Sequence, residues 1–124
     1  MNVLIVDDSR VIRKMIARIM KTLGYETFEA GNGLEGLVEL AKIESVDLIL
    51  VDWNMPEMNG LDFVKAVRAD AENNHIPMIM VTTESEMSRM ALAFMAGVNE
   101  YIMKPFTEEG INSKLELLGI GTTA

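Results

Sequence analysis

Three aspartates, a threonine and a lysine stand directly after short apolar runs, and their types suit phosphoryl chemistry. Asp7 and Asp8 follow Val3-Leu4-Ile5-Val6, and Asp52 follows Leu48-Ile49-Leu50-Val51. Thr82 follows Met78-Ile79-Met80-Val81, and Lys104 follows Tyr101-Ile102-Met103. Carboxylates held within a few ångströms repel unless a proton or cation intervenes. An all-oxygen donor set favours Mg²⁺, which takes one or two carboxylates, keeps several waters and accepts phosphate oxygens. A carboxylate beside that ion can attack a phosphoryl group and become an acyl phosphate. The transferring oxygens then need positive charge and hydrogen-bond donors, which Lys104 and Thr82 can supply. One such aspartate alone is an ordinary turn or cap residue. The joint set argues for a site, because independent turn residues need not fall at four strand ends.

Composition limits the alternatives. A length of 124 residues corresponds to one domain. Lysine and arginine number 11 against 19 aspartates and glutamates, a formal charge of −8, so a phosphate-binding basic stripe for nucleic acid is not expected. With no cysteine and one histidine, His75, there is no disulfide framework, thiolate zinc site, cysteine nucleophile or multi-histidine metal centre. The longest nonpolar stretch, Met90 to Val98, is far shorter than the ~18 residues of a membrane span. The N-terminus lacks a signal peptide's basic start and cleavage site, so a cytoplasmic protein without membrane insertion is expected.

The elements that must position these residues alternate strand and helix. Strands are expected at 3–6, 25–30, 48–51, 78–81 and 101–103. The first helix carries Val11, Ile12, Met15, Ile16, Ile19, Met20 and Leu23 and stops at Gly24; the second carries Leu34, Leu37, Val38 and Ala41. Asn59 reads as the N-cap of a third helix with Leu61, Val64 and Val67, Glu86 to Gly97 as a fourth, and Thr107 to about Leu118 as a fifth. Five such units point to a parallel sheet with helices on both faces. An order 2-1-3-4-5, adopted from known doubly wound folds and not deduced from this chain, makes strands one and three neighbours. The three aspartates would then converge at the carboxyl edge, where open α/β sheets bind ligands.

Val6-Asp7-Asp8, Asp52-Trp53-Asn54-Met55-Pro56, Thr82 and Lys104-Pro105-Phe106 together resemble the receiver domain of bacterial two-component response regulators. The resemblance covers essentially the whole chain and is strongest to single-domain chemotaxis regulators. It implies a flavodoxin-like α/β fold, a doubly wound five-stranded parallel sheet with five helices, forming one receiver domain over residues 1–124. No output domain is expected, since the tail from Gly119 to Ala124 is too short for one. By the resemblance, Asp52 is the phosphoacceptor, loaded by a sensor histidine kinase or a histidine phosphotransfer domain. Asp8 and Asp52 would hold Mg²⁺ directly, Asp7 through water and Asn54 through its backbone carbonyl. Lys104 would pair with the phosphoryl group, Thr82 would hydrogen-bond to it, and Tyr101 would change rotamer as the switch. Asn54 and Glu84 occupy positions where the family tunes access of the hydrolytic water, and Lys104-Pro105 is expected to be cis. The implied output is a surface of helix four, strand five and helix five that binds a downstream protein.

Other residues are read more locally. Trp53 is expected to border the site and His75 to lie in a solvated loop. Met90 to Val98 contains no polar side chain, so an exposed apolar strip is expected on helix four. Met87, Met90 and Tyr101 are assigned to that partner surface, with Ala91, Met95 and Val98 turned inward, in a monomer or weak homodimer. A phosphorelay intermediate is the alternative within signalling. An aspartyl-nucleophile Mg²⁺ phosphatase is more remote, since Asn54 stands where those enzymes place a second aspartate and no cap domain is present. Loading and loss of phosphate on one side chain is self-catalysis, and a turnover enzyme is not expected.

Overall fold

Each apolar run becomes a strand of one parallel sheet. The computed structural model describes residues 1–120. In chain order it contains β1 (Asn2–Val6), α1 (Arg10–Thr22), β2 (Glu26–Ala30), α2 (Gly33–Lys42), β3 (Leu48–Val51), α3 (Gly60–Ala69), β4 (Met78–Thr82), α4 (Met87–Ala96), β5 (Glu100–Met103) and α5 (Glu108–Leu117). The strands run in the order β2-β1-β3-β4-β5, as expected. The tail reading falls partly on residues 121–124, outside the described residues.

Strand side chains alternate between two cores because successive residues point to opposite faces. Leu4, Val6, Ile49, Val51, Met78 and Met80 pack with Phe63, Val64 and Val67 of α3 and Ala93 of α4. Val3, Ile5, Leu48, Leu50, Ile79 and Val81 pack with Ile16 and Met20 of α1 and Ile111 and Leu115 of α5. With both faces covered, the central strands need no polar alternation, which is why they read as unbroken apolar runs.

Caps set where the helices begin. Ser9 accepts from the Ile12 amide, Asn32 from Glu35, Asn59 from Asp62 and Thr107 from Gly110. These bonds satisfy amides that lack a partner within the first turn. The Thr107 cap helps α5 begin despite Gly110 and Asn112. Boundaries differ from expectation by a residue: β2 begins at Glu26, β4 reaches Thr82 and β5 starts at Glu100. A 3-10 turn at Ala71–Asn73 was not anticipated; Asp70 caps it by accepting from the Glu72 amide. Among the described residues no helix is long and apolar enough to cross a membrane.

Helix α4 is turned differently from the expectation. Ala93 is fully buried and Met90 is partly buried against the same core. Ala91 is exposed and Met95 is 83% exposed, so neither faces inward as assigned, whereas Val98 is buried. The small Ala93 lets the helix approach the sheet, and the bulky Met87 and Met95 point away from it. Met90 therefore drops out of the partner surface, and Met87, Leu92, Phe94 and Met95 form the exposed apolar strip.

Candidate functional site

Parallel register brings the strand ends together. Val6 pairs with Val51, so β1 and β3 finish side by side. The ladder continues one residue further: the Asp52 amide donates to Val6 O at 2.9 Å and the Lys104 amide to Thr82 O at 2.9 Å. Asp7, Asp52 and Thr82 are the buried polar side chains there, while Asp8 is exposed. The Lys104 ammonium donates to Asp7 Oδ2 at 2.9 Å and to Asp52 Oδ2 at 3.1 Å. The second oxygen of each carboxylate is also occupied: Asp7 Oδ1 accepts from the Ser9 amide at 2.9 Å and Asp52 Oδ1 from the Trp53 amide at 2.7 Å. The Lys104-Pro105 bond is cis.

Electrostatics follow from burial. Desolvation pushes Asp7 above the ordinary 3.8; the Lys104 and Ser9 hydrogen bonds and the Lys104 charge oppose it, and the Asp52 charge adds to it. Burial alone would lower Lys104, but its hydrogen bond to Asp7 and the charges of Asp52 and Asp7 outweigh it, holding it above 10.5. The ammonium is therefore permanent at neutral pH. One ammonium does not balance three carboxylates. Asp7, Asp8 and Asp52 each offer an oxygen within 4.8 Å of the others. That oxygen-only set, with Asp8 open to solvent, fits a hard divalent cation.

A backbone bridge links Thr82 to Tyr101. The Glu84 amide donates to Thr82 Oγ1 at 3.3 Å, and the Tyr101 hydroxyl donates to Glu84 O at 2.7 Å. Burial, followed by the charges of Glu84 and Asp52, raises Tyr101 above its ordinary 10.0, so the phenol keeps its proton. Its ring is buried in the core, with its centroid 6.4 Å from that of Phe94. Tyr101 thus presents little to a partner in this conformation, which corrects its assignment to the exposed surface; the hydroxyl's bond to Glu84 O holds the ring in.

An open cleft of about 500 Å³ adjoins the acidic cluster, lined by Asp8, Trp53, Asn54, Met55, Asn59 and Arg89. Trp53 borders the site as expected, and His75 is exposed. Two residues were missed. The Arg89 guanidinium lies over the Trp53 ring, 5.5 Å from its centroid. Its one sequence signal was being the sole lysine or arginine between Arg68 and Lys104. Gly60 packs so closely that a Cβ would collide with the main chain of Asp52. Its amide also donates to Trp53 O at 2.8 Å, which folds the loop after Asp52 back on itself.

Comparison with known proteins adds an independent observation. The family model for the response regulator receiver domain matches residues 3–116. The chemotaxis protein CheY1 of Helicobacter pylori is 46% identical over 123 residues, covering 98% of both chains. A CheY homologue of Campylobacter jejuni is also 46% identical, covering 98% of this chain and 95% of that one. Among solved structures, Vibrio cholerae CheY4 superposes with a TM-score of 0.87 at 36% identity, covering 94% of this chain and 97% of that one. The family match runs through all five strands and includes Asp7, Asp52, Thr82 and Lys104, so fold and site point the same way: the chain belongs to the response regulator receiver domains and is CheY-like.

Proposed function

We propose that the protein is a stand-alone response regulator that accepts a phosphoryl group on Asp52 from a phosphohistidine of a sensor kinase or histidine phosphotransfer domain. The observation that carries this reading is the Lys104 ammonium bridging the buried Asp7 and Asp52 carboxylates. An Asp52 oxygen bonds to phosphorus as the phosphorus–nitrogen bond breaks, and the departing imidazole takes up a proton. Asp8, Asp52 and the Asn54 carbonyl would hold Mg²⁺ directly and Asp7 would hold it through water. Bound there, the ion offsets the repulsion between Asp52 and the phosphoryl oxygens.

Lys104 then turns from the carboxylates to a phosphoryl oxygen. Thr82 Oγ1 accepts from the Glu84 amide, so its own proton is free to donate to the phosphoryl group. Thr82 moves toward that group, and its shift favours the inward Tyr101 rotamer, in which the ring is buried and the hydroxyl donates to Glu84 O. A downstream protein binding one state of the α4–β5–α5 surface better shifts the population. Asn54 on the cleft and Glu84 beside Thr82 set the lifetime of the phosphate by governing water access. The protein works as a cytoplasmic signalling switch in chemotaxis or a similar response, and not as a turnover enzyme.

The test is incubation with Mg²⁺ and a small phosphodonor. The wild type gains one phosphoryl mass with a change in Trp53 fluorescence, and Asp52→Ala shows neither. No mass gain in the wild type overturns the reading. Labelling retained in Asp52→Ala moves the acceptor to another carboxylate, with Asp8 first in line.

A further inference from the structure

We infer that Arg89 selects among phosphodonors, drawing the more highly charged ones into the cleft beside Asp52. The inference rests on the phosphoacceptor reading of Asp52. Arg89 is on α4, away from the strand ends that supply the acidic cluster, yet its side chain lines the same cleft as Asp8 and Asn54. Its guanidinium is held over Trp53, the residue whose amide anchors Asp52 Oδ1. Its other partner is Glu84 Oε1, 3.6 Å from Nε, too long for a hydrogen bond. Neither contact consumes the guanidinium's N–H donors, a planar fork that matches phosphate oxygens.

Charge balance explains why this group matters. With a divalent cation bound, three ionised carboxylates against one ammonium would leave the interior of the site neutral. A dianionic donor approaching that interior gains no net attraction from it. Among the described residues, Arg89 is the one basic side chain lining the cleft. Glu84 offsets part of its charge, but across a longer, partly solvated gap. A cation at the rim of a binding site acts mainly on the rate of encounter and on its salt dependence. The attraction grows with the donor's charge, so it discriminates between donors and does not accelerate all equally.

Two small donors separate this role from a packing role. Acetyl phosphate is a dianion at neutral pH; as Asp52 bonds to phosphorus, its acyl oxygen–phosphorus bond breaks and acetate leaves. Phosphoramidate carries one net negative charge; its phosphorus–nitrogen bond breaks and ammonia leaves. Labelling is followed by mass at saturating Mg²⁺ for the wild type, Arg89→Ala, Arg89→Lys and Arg89→Glu. Arg89→Ala is expected to slow acetyl phosphate roughly 3–10-fold and phosphoramidate only about 2–3-fold, the square root of that effect. Arg89→Lys should retain most of the wild-type preference, and Arg89→Glu should fall below Arg89→Ala. Rising ionic strength should erode the wild-type preference for acetyl phosphate and leave Arg89→Ala little changed. Equal slowing of both donors would mean that Arg89 only supports Trp53, and no slowing would mean that it is a solvated helix residue; either overturns the inference. A wild type labelled by neither donor would instead remove the phosphoacceptor reading, and this inference with it.

Discussion

The Tyr101 hydroxyl donates to the main-chain carbonyl of Glu84 at 2.7 Å. The amide of the same residue donates to Thr82 Oγ1, so one backbone unit joins the two residues of the proposed switch. Tyr101→Phe removes one hydrogen bond and keeps the buried ring. Stability should fall by about 0.5–1.5 kcal/mol in urea, and the Glu84 amide should exchange faster with solvent. Phosphoryl uptake on Asp52 should persist. Unchanged exchange at Glu84 would mean that Tyr101 does not hold this loop.

Gly60 is a positional requirement of the site. A Cβ there would strike the backbone of Asp52 and approach Trp53 Cα within 2.9 Å. Backbone cannot swing aside as a flexible side chain can, so the strain moves into the loop carrying Asp52. Gly60→Ala should lose roughly 1–3 kcal/mol in urea unfolding and slow labelling of Asp52. A variant with wild-type stability and labelling would mean that the loop yields freely.

Burial makes an ionised Asp7 costly to the fold, a cost that the proposed ion would offset. Burial, the largest influence, raises its folded-state value above the unfolded 3.8. Its contribution to stability is thus complete below 3.8 and is lost as pH rises through the raised folded value. Above that value the ionised carboxylate is a cost, and Asp7→Asn removes it. Without divalent ions, Asp7→Asn should unfold at higher urea than the wild type; with Mg²⁺ added, the wild type should gain more. A lower midpoint for Asp7→Asn in the ion-free protein would mean that the Lys104 pairing outweighs the burial.

What could be read from the sequence depended on how local the determining physics is. The central strands were legible because their apolar runs reflect burial on both faces, and Asn59 was legible as a cap because capping spans three residues. Strand order was not, since nothing in a run such as Leu48–Val51 says which strand lies beside it; the order was adopted from known folds. Contact between Lys104 and Asp7, 97 residues apart, followed only once that order was in hand. The inward face of α4 was misassigned because Met90 to Val98 offers no polar residue to mark the outer side. Arg89 was passed over for a related reason: its partners Trp53 and Glu84 come from separate loops.

Glu29 controls an acid limb of the stability profile. Burial alone would raise it, but hydrogen bonds and charge from Lys14 and Arg13 outweigh burial and lower it below 4.5. A depressed carboxylate stabilises the fold fully above 4.5 and loses that contribution as pH falls through the folded value. Lys14 is more than half exposed, so solvent screening keeps its share small. Urea midpoints measured downward from pH 6 should show Glu29→Gln less stable than the wild type at the top and converging with it in acid. A constant gap at every pH would assign the loss to packing and not to charge.

The exposed strip on α4 gives a prediction in which two methionines on one helix behave oppositely. Met90 is partly buried against Ala93 and the sheet core, whereas Met95 is 83% exposed. A carboxylate at position 90 would have to be desolvated beside apolar atoms, whereas at position 95 it stays in water. Met90→Asp should cost about 2 kcal/mol or more in urea unfolding, and Met95→Asp should stay within roughly 0.5 kcal/mol of the wild type. Met95→Asp is consequently the variant that tests the strip as a contact surface, because a loss of downstream binding or self-association in it cannot be traced to unfolding. Met90→Asp would confound the two. Equal stability losses at both positions would mean that the helix is turned about its axis relative to the arrangement described, with Met95 toward the sheet.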